Sequence, residues 1–241
     1  MDRLIYIAAA GAQAMLARQD VLAGNLANAS TPGFRAELQA LRAVPVRGDG
    51  ASTRVYALDT TVGYDARPGP VQSTGRALDV AVEGSSWLAV QALDGTEAYT
   101  RNGALQVGAD GQIVTSSGLP VMGDGGPITV PANAALEVAP DGSVVATVGS
   151  NRPQVAGKLK LVTPEAPLER GSDGLFRAAE GELAADPKAR VQGGALEGSN
   201  VSPIESMIGM IAAARQFEQQ MKALQGAEQR DQSASKLLSS T

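Results

Sequence analysis

Ser233-Ala-Ser-Lys236 has the Ser-x-x-Lys spacing of penicillin-interacting serine enzymes. No Ser-Asp-Asn or Lys-Thr-Gly follows it, and it lies in a polar tail expected to fray, so no serine enzyme is read from the spacing. Asp59-Thr-Thr lacks the glycine of an aspartic-protease loop. Gly123-Asp-Gly-Gly126 is rich enough in glycine to cradle a phosphate, but has no Lys-Ser/Thr and no strand-helix context. The Asp-Gly pairs lack the Asp-x-Asp-x-Asp-Gly ladder of a calcium loop. Asn28-Ala-Ser30 and Asn200-Val-Ser202 are formal glycosylation sequons, yet each adjoins a helix end, where local capping accounts for them. The chain has no histidine and no cysteine. That removes disulfides, thiolate nucleophiles, Ser-His-Asp triads and imidazole metal sites. The expectation is a protein that is not an enzyme, with no catalytic, cofactor-binding or metal-ligating residues.

The charge distribution narrows the partners. Over 241 residues the net charge is −5, from 20 basic and 25 acidic side chains with no basic run. A duplex-binding protein needs a basic face to release phosphate counterions, so no nucleic-acid partner is expected. No run of ~18 apolar residues exists, so no membrane insertion is expected either. Leu4 to Ala10 is apolar, and Ala12-Gln13-Ala14 imitates a signal-peptidase site. Arg3 is offset by Asp2, however, and the apolar period runs on past the apparent cut. The segment reads as an uncleaved helix.

Two stretches have helical period. Ile5, Ala8, Ala12, Met15, Leu22, Leu26 and Ala29 keep a 3-4 spacing interrupted only by Gln19. A helix over residues 3 to 29 would be ~40 Å long. At the other end Met207, Met210, Ala214, Phe217, Met221 and Leu224 repeat the same spacing, with Ile204, Ile208 and Ile211 widening the stripe. Ser202-Pro203-Ile204-Glu205 is a helix start: serine at N-cap, proline at N1 and glutamate at N3. Beyond Leu224 the stripe fails, and the last fifteen residues should fray in an isolated monomer.

The middle is different in kind. Asp-Gly pairs stand at 49–50, 94–95, 110–111, 124–125, 141–142 and 173–174, and Asn102-Gly103 adds a seventh turn signal. Strand-like segments lie between them: 78–82, 87–92, 104–107, 112–115, 128–130, 136–139, 144–148 and 158–162. The expected fold is therefore α+β. Long N- and C-terminal helices pair as an antiparallel coiled coil, and the centre is an antiparallel all-β domain. The boundaries predicted are 1–35 for the first helix and its following turn, 36–69 for an extended linker, 70–182 for the β domain, 183–200 for a second linker and 201–241 for the second helix. Pro68-Gly69-Pro70 and Gly193-Gly194 are expected as hinges.

Asn25-Leu-Ala-Asn28-Ala-Ser-Thr31-Pro-Gly33-Phe34-Arg35 resembles the N-terminal signature of bacterial flagellar rod and hook proteins, Asn-x-x-Asn-x-x-Thr-x-Gly-Phe/Tyr-Lys/Arg, at every position. Leu196-Glu-Gly-Ser-Asn200-Val-Ser202-Pro-Ile-Glu205, with Met210-Ile211-Ala212 and Arg215-Gln-Phe217-Glu218, is similar to the family's C-terminal signature. Leu78-Asp79-Val-Ala-Val-Glu-Gly84 and Tyr99-Thr-Arg-Asn-Gly103 agree with its middle.

The resemblance covers nearly the whole chain. It implies a structural subunit of the basal-body rod, placed in the proximal rod, with the distal rod as the alternative. It also implies export by the flagellar type III apparatus without a cleaved signal, and assembly across the periplasm with copies of itself and other rod proteins. The residues expected to carry assembly are the two stripes, Ile211 included, with Asn25, Asn28, Thr31, Gly33, Phe34, Asn200 and Ser202. Asn25, Asn28 and Thr31 would bind backbone at the helix end, and Gly33 would turn the chain before Phe34 docks. Asn200 and Ser202 would do the same at the start of the second helix. A secreted β-domain binding module on a helical stalk is the rival reading.

Overall fold

The computed structural model describes residues 3–45, 55–149 and 151–239. The chain divides into two compact units. One contains residues 1–29, 36–65 and 201–241; the other contains residues 30–35 and 66–200.

The first unit holds helices α1 (Arg3–Ala27) and α2 (Pro203–Ser239) with strands β1 (Glu37–Pro45) and β2 (Val55–Tyr64). Alanine and leucine dominate α1, which has no proline and no β-branched run to oppose helix formation. The helix ends where the Asn28 side chain folds back: its Nδ2 donates to Gly24 O at 2.9 Å and its backbone N–H donates to the same oxygen at 3.2 Å. At the start of α2, Ser202 is the N-cap as expected. Its Oγ accepts from Glu205 N at 3.4 Å and its carbonyl accepts from Ser206 N at 3.0 Å. The helix continues to Ser239, through the tail whose stripe fails.

The α+β class is right, but the antiparallel coiled coil is a correction. A coiled coil buries its apolar seam as knobs in holes. Here Ile204, Met207, Ile208 and Ile211 are 50–70% exposed, and among the described side chains the buried residues of α2 are Ser206, Ala213 and Ala227. Where the two helices meet, Gly11 lies against the Gln220 side chain and Gly209 against Leu22. The glycines admit close approach at these two points, while the large apolar groups at the start of α2 stay uncovered. The stretch read as a linker, 36–69, carries an antiparallel ribbon of β1 on β2, with a bulge between Leu38 and Ala40. Asp49-Gly50 lies outside the described residues.

The second unit is made of short antiparallel strands. They are β3 (Val71–Ser73), β4 (Val80–Val82), β5 (Trp87–Gln91), β6 (Glu97–Thr100), β7 (Leu105–Val107), β8 (Ile113–Thr115), β9 (Met122–Gly123) and β10 (Gly126–Pro127), followed by β11 (Ala134–Val138), β12 (Ser143–Val148), β13 (Gln154–Lys158), β14 (Leu161–Val162), β15 (Glu169–Arg170), β16 (Phe176–Arg177), β17 (Val191–Gly193) and β18 (Ala195–Glu197). The largest sheet runs β14-β5-β6-β16-β15, and a second runs β11-β12-β13. The remaining strands pair two by two, β17 with β4 and β18 with β3 among them. One core joins them, including Leu88, Val90, Leu105, Ile113, Val121, Val144, Leu159 and Val191. Each such large side chain contributes about 1.5–3 kcal/mol by leaving water.

All five described Asp-Gly pairs join antiparallel neighbours. In four of them the aspartate accepts the amide two residues on, at 3.0–3.3 Å from Thr96, Gln112, Ser143 and Leu175. The glycines that follow have φ between +78° and +85°. Gly123–Gly126 is the β9–β10 hairpin, so the glycine-rich loop is a turn. Asn102-Gly103 is not a tight turn of this kind. A Cβ on Gly103 would lie 1.7 Å from Val80 O, so glycine stands there to let two backbones touch. Residues 128–130 form only a single bridge, Thr129 with Gln112, and 158–162 straddles the break between β13 and β14. Gly193-Gly194, expected as a hinge, lies at the junction of paired strands β17 and β18.

Strand β6 was not foreseen, and it carries a buried polar chain. The Tyr99 hydroxyl donates to Glu97 Oε1 at 2.8 Å and accepts from Leu183 N at 2.6 Å. Lys160 Nζ holds the other Glu97 oxygen at 2.7 Å. Burial pushes the Tyr99 phenol far above its ordinary 10.0. The unfolded chain therefore ionises first, so this contribution is complete below pH 10 and lost as pH rises above it. The expected result is a urea midpoint that falls more steeply between pH 9 and pH 11.5 in the parent chain than in Tyr99→Phe. Equal slopes would contradict the assignment.

Candidate assembly site

In the helix–ribbon unit, Asn25 is buried at the last turn of α1. Its amide makes a paired donor and acceptor bond to one residue of β1: Nδ2 donates to Glu37 O at 2.9 Å and Oδ1 accepts from Glu37 N at 2.8 Å. Asparagine suits the position because a single side chain must offer a donor and an acceptor side by side. Ala8 and Ala12 of the expected stripe are buried; Ile5, Met15, Leu22 and Leu26 are half-buried. On α2, Met210, Ala214, Phe217, Met221 and Leu224 are half-buried, while Met207 and Ile211 face solvent.

In the β unit, residues 30–35 meet residues 66–70 and 195–200. Gly33 has φ +68° and donates its N–H to Glu197 O at 2.8 Å. Its α-carbon lies against the Arg101–Asn102 backbone, leaving no room for a side chain. The Thr31 carbonyl accepts from Phe34 N at 3.2 Å, closing the turn. The Arg170 guanidinium lies over the Phe34 ring at 4.6 Å, and 5.9 Å from Phe176, whose ring packs tilted at 51° against Trp87 with centroids 4.6 Å apart. Asn200, just before α2, binds backbone in the β unit. Its Nδ2 donates to Arg67 O at 2.8 Å and its N–H to Phe34 O at 3.3 Å.

Three charged side chains missed as site residues sit at the centre. Arg35 Nη1 meets Glu197 Oε1 at 2.5 Å, and Arg101 Nη2 meets Glu197 Oε2 at 2.6 Å. Arg101 also donates to Val82 O at 2.9 Å, to Gly84 O at 3.1 Å and to Ser86 O. Burial depresses the Arg101 guanidinium pKa, with Glu197 opposing that shift. Each of the three lies in a motif quoted above. The available signal was a charge set in an otherwise glycine-rich or apolar segment, such as Leu196-Glu-Gly198.

Ser233 donates its hydroxyl to Gln229 O at 2.8 Å, one turn back in α2, which is a helix-surface arrangement. Among the described residues, no group of His, Cys, Asp or Glu could hold a metal ion, and no helix is long and apolar enough to cross a membrane.

Comparison with known proteins decides the family. Residues 5–35 match the family described as flagella basal body rod protein, residues 81–146 the flagellar hook protein FlgE/F/G D1 domain, and residues 192–237 the flagellar basal body rod FlgEFG protein C-terminal family. The chain is 49% identical to the flagellar basal-body rod protein FlgF of Salmonella typhimurium, over 99% of both chains. The chain belongs to the flagellar basal-body rod protein family. It is 48% identical to FlgF of Escherichia coli over 99% of both chains, and 30% identical to the rod protein FlgG of Buchnera aphidicola over 97% of this chain and 98% of the other. The first and last of the family matches include the segments that carry Asn25, Gly33 and Arg35 on one side and Glu197, Asn200 and Ser202 on the other.

Proposed function

We propose that this rod-family chain is a structural subunit of the proximal rod, polymerising through α1 and α2 into a helical shaft that transmits torque and lines the export channel. The observation that carries the reading is the uncovered face at the start of α2. Ile204, Met207, Ile208 and Ile211 place four large apolar side chains within two turns, each at least half exposed. A contiguous apolar face of this kind marks a binding surface. A face that docks on a different surface of the next copy repeats without closing, which builds a filament. The higher identity to FlgF than to FlgG supports the proximal position over the distal one.

On this reading the stripes, Asn25, Asn28, Thr31, Gly33, Phe34, Asn200 and Ser202 serve assembly. The partners are further copies, other rod proteins and the type III export apparatus, which takes the chain across without a cleaved signal. The work is mechanical, with no catalysis, cofactor, nucleic acid or membrane insertion. The double variant Ile208→Asp/Ile211→Asp tests it, because both positions face water and neither supports the fold. Circular dichroism and Trp87 fluorescence should match the parent, while recovery of the chain in isolated basal bodies drops at least tenfold and swimming is lost. Normal incorporation of the variant would overturn the reading.

A further inference from the structure

The charges buried at the centre of the β unit do not balance. Arg35, Arg101 and Glu197 are 3%, 2% and 1% exposed, so one carboxylate serves two cations. The three carbonyls of Val82, Gly84 and Ser86 share the load of Arg101. Arg35 has less support: its Nη1 rests on Glu197 Oε1, and its buried Nε has no hydrogen-bond partner. Glu197 does more than pair charges. Oε1 also accepts from Gly69 N at 2.9 Å, and the backbone carbonyl accepts from Gly33 N at 2.8 Å. Beside it, Gly198 N donates to Pro70 O at 2.8 Å, and Asn200 reaches both Phe34 and Arg67.

The segments gathered there have little apolar grip of their own. Strand β3 is exposed at all three positions, and β18 pairs with it. The core cluster contains none of residues 30–35, 66–70 or 195–200. A region with few buried apolar contacts opens at a free energy set by its polar contacts rather than by the global stability.

We infer that Glu197 is a latch: the last strand of the β unit delivers the carboxylate that pairs with arginines placed 162 and 96 residues earlier, and the backbone bonds between residues 30–35 and 195–200 hold only while it does. Glu197 is thus a positioning residue for both family signatures. Without its charge the junction opens as one local unit while the core stays folded. An isolated side-chain contact within a uniformly cooperative fold would behave otherwise.

Amide exchange of the full-length chain separates the two. In Glu197→Gln, which keeps shape and loses charge, the amides of Gly33, Gly69, Gly198 and Asn200 should exchange at least ~100-fold faster. The core amides of Ala89, Val121 and Leu159 should keep their parent rates. Equal acceleration at both sets would overturn the latch, as would unchanged junction rates. If Glu197→Gln yields no folded chain, Arg35→Gln decides, since it leaves the Arg101–Glu197 pair intact. Gly33 and Asn200 should then exchange ~10-fold faster with the core unmoved, and no change there would overturn the assignment.

Discussion

Gly33→Ala should cost the β unit about 3 kcal/mol or more, and Trp87 fluorescence during urea denaturation should report it as a large fall in midpoint. Two costs combine at this position. At φ +68° an alanine is held in the left-handed region, worth about 1–2 kcal/mol. Its Cβ would also lie 2.2 Å from Arg101 C, 2.4 Å from Arg101 O and 2.5 Å from Asn102 N. All three are backbone atoms, and Arg101 is tethered by its own guanidinium, so none yields by a rotamer change. Gly75→Ala is the matched control: φ is +70° and nothing lies within 4 Å of the new methyl group. That variant should lose only the dihedral cost. If both variants lose the same amount, the segment moves aside and the close packing described here is wrong. Trp87 is a suitable reporter because it is the only tryptophan in the chain and touches Phe176.

Arg101→Met should destabilise the same unit by about 3–5 kcal/mol, the range for removing one partner of a buried ion pair. Methionine keeps the apolar stem but leaves the carbonyls of Val82, Gly84 and Ser86 without this donor and the Glu197 carboxylate without its second cation. Arg101→Lys should recover only part of the loss, because one ammonium cannot reproduce a planar fork with donors aimed at four groups. A loss below about 1 kcal/mol in the methionine variant would show that water replaces the guanidinium without penalty. The two urea series, read at matched temperature and pH, settle that question.

Much of this architecture was legible because its signals are local. Ser202-Pro203 and the spacing from Ile204 to Leu224 located α2, and Asp-Gly pairs located hairpins, since an aspartate accepting the amide two residues on needs no distant partner. The coiled coil was misjudged because an apolar stripe specifies a face and not its partner. Ile204, Met207, Ile208 and Ile211 are where the pattern put them, yet they stay exposed, with no seam closing over them. The ribbon of β1 and β2 was missed because Glu37–Pro45 does not alternate cleanly between buried and exposed positions. Glu197 was passed over for a related reason. A carboxylate between glycine and leucine reads as a solvated turn until Arg35 and Arg101 arrive from positions far away in the chain. Gly103 looked like a turn for want of any sign that Val80 O would come so near.

The long passage through the β unit, residues 66–200, begins and finishes at one spot, since the Asn200 side-chain amide donates to the carbonyl of Arg67. A module whose entrance and exit touch imposes almost no spacing on the chain that flanks it. Its interior can lengthen, shorten or be exchanged for another fold with equally close ends, and the flanking segments need not readjust. The terminal helices and the sheet-rich middle are therefore free to vary at separate rates, as a plug and the appliance behind it do.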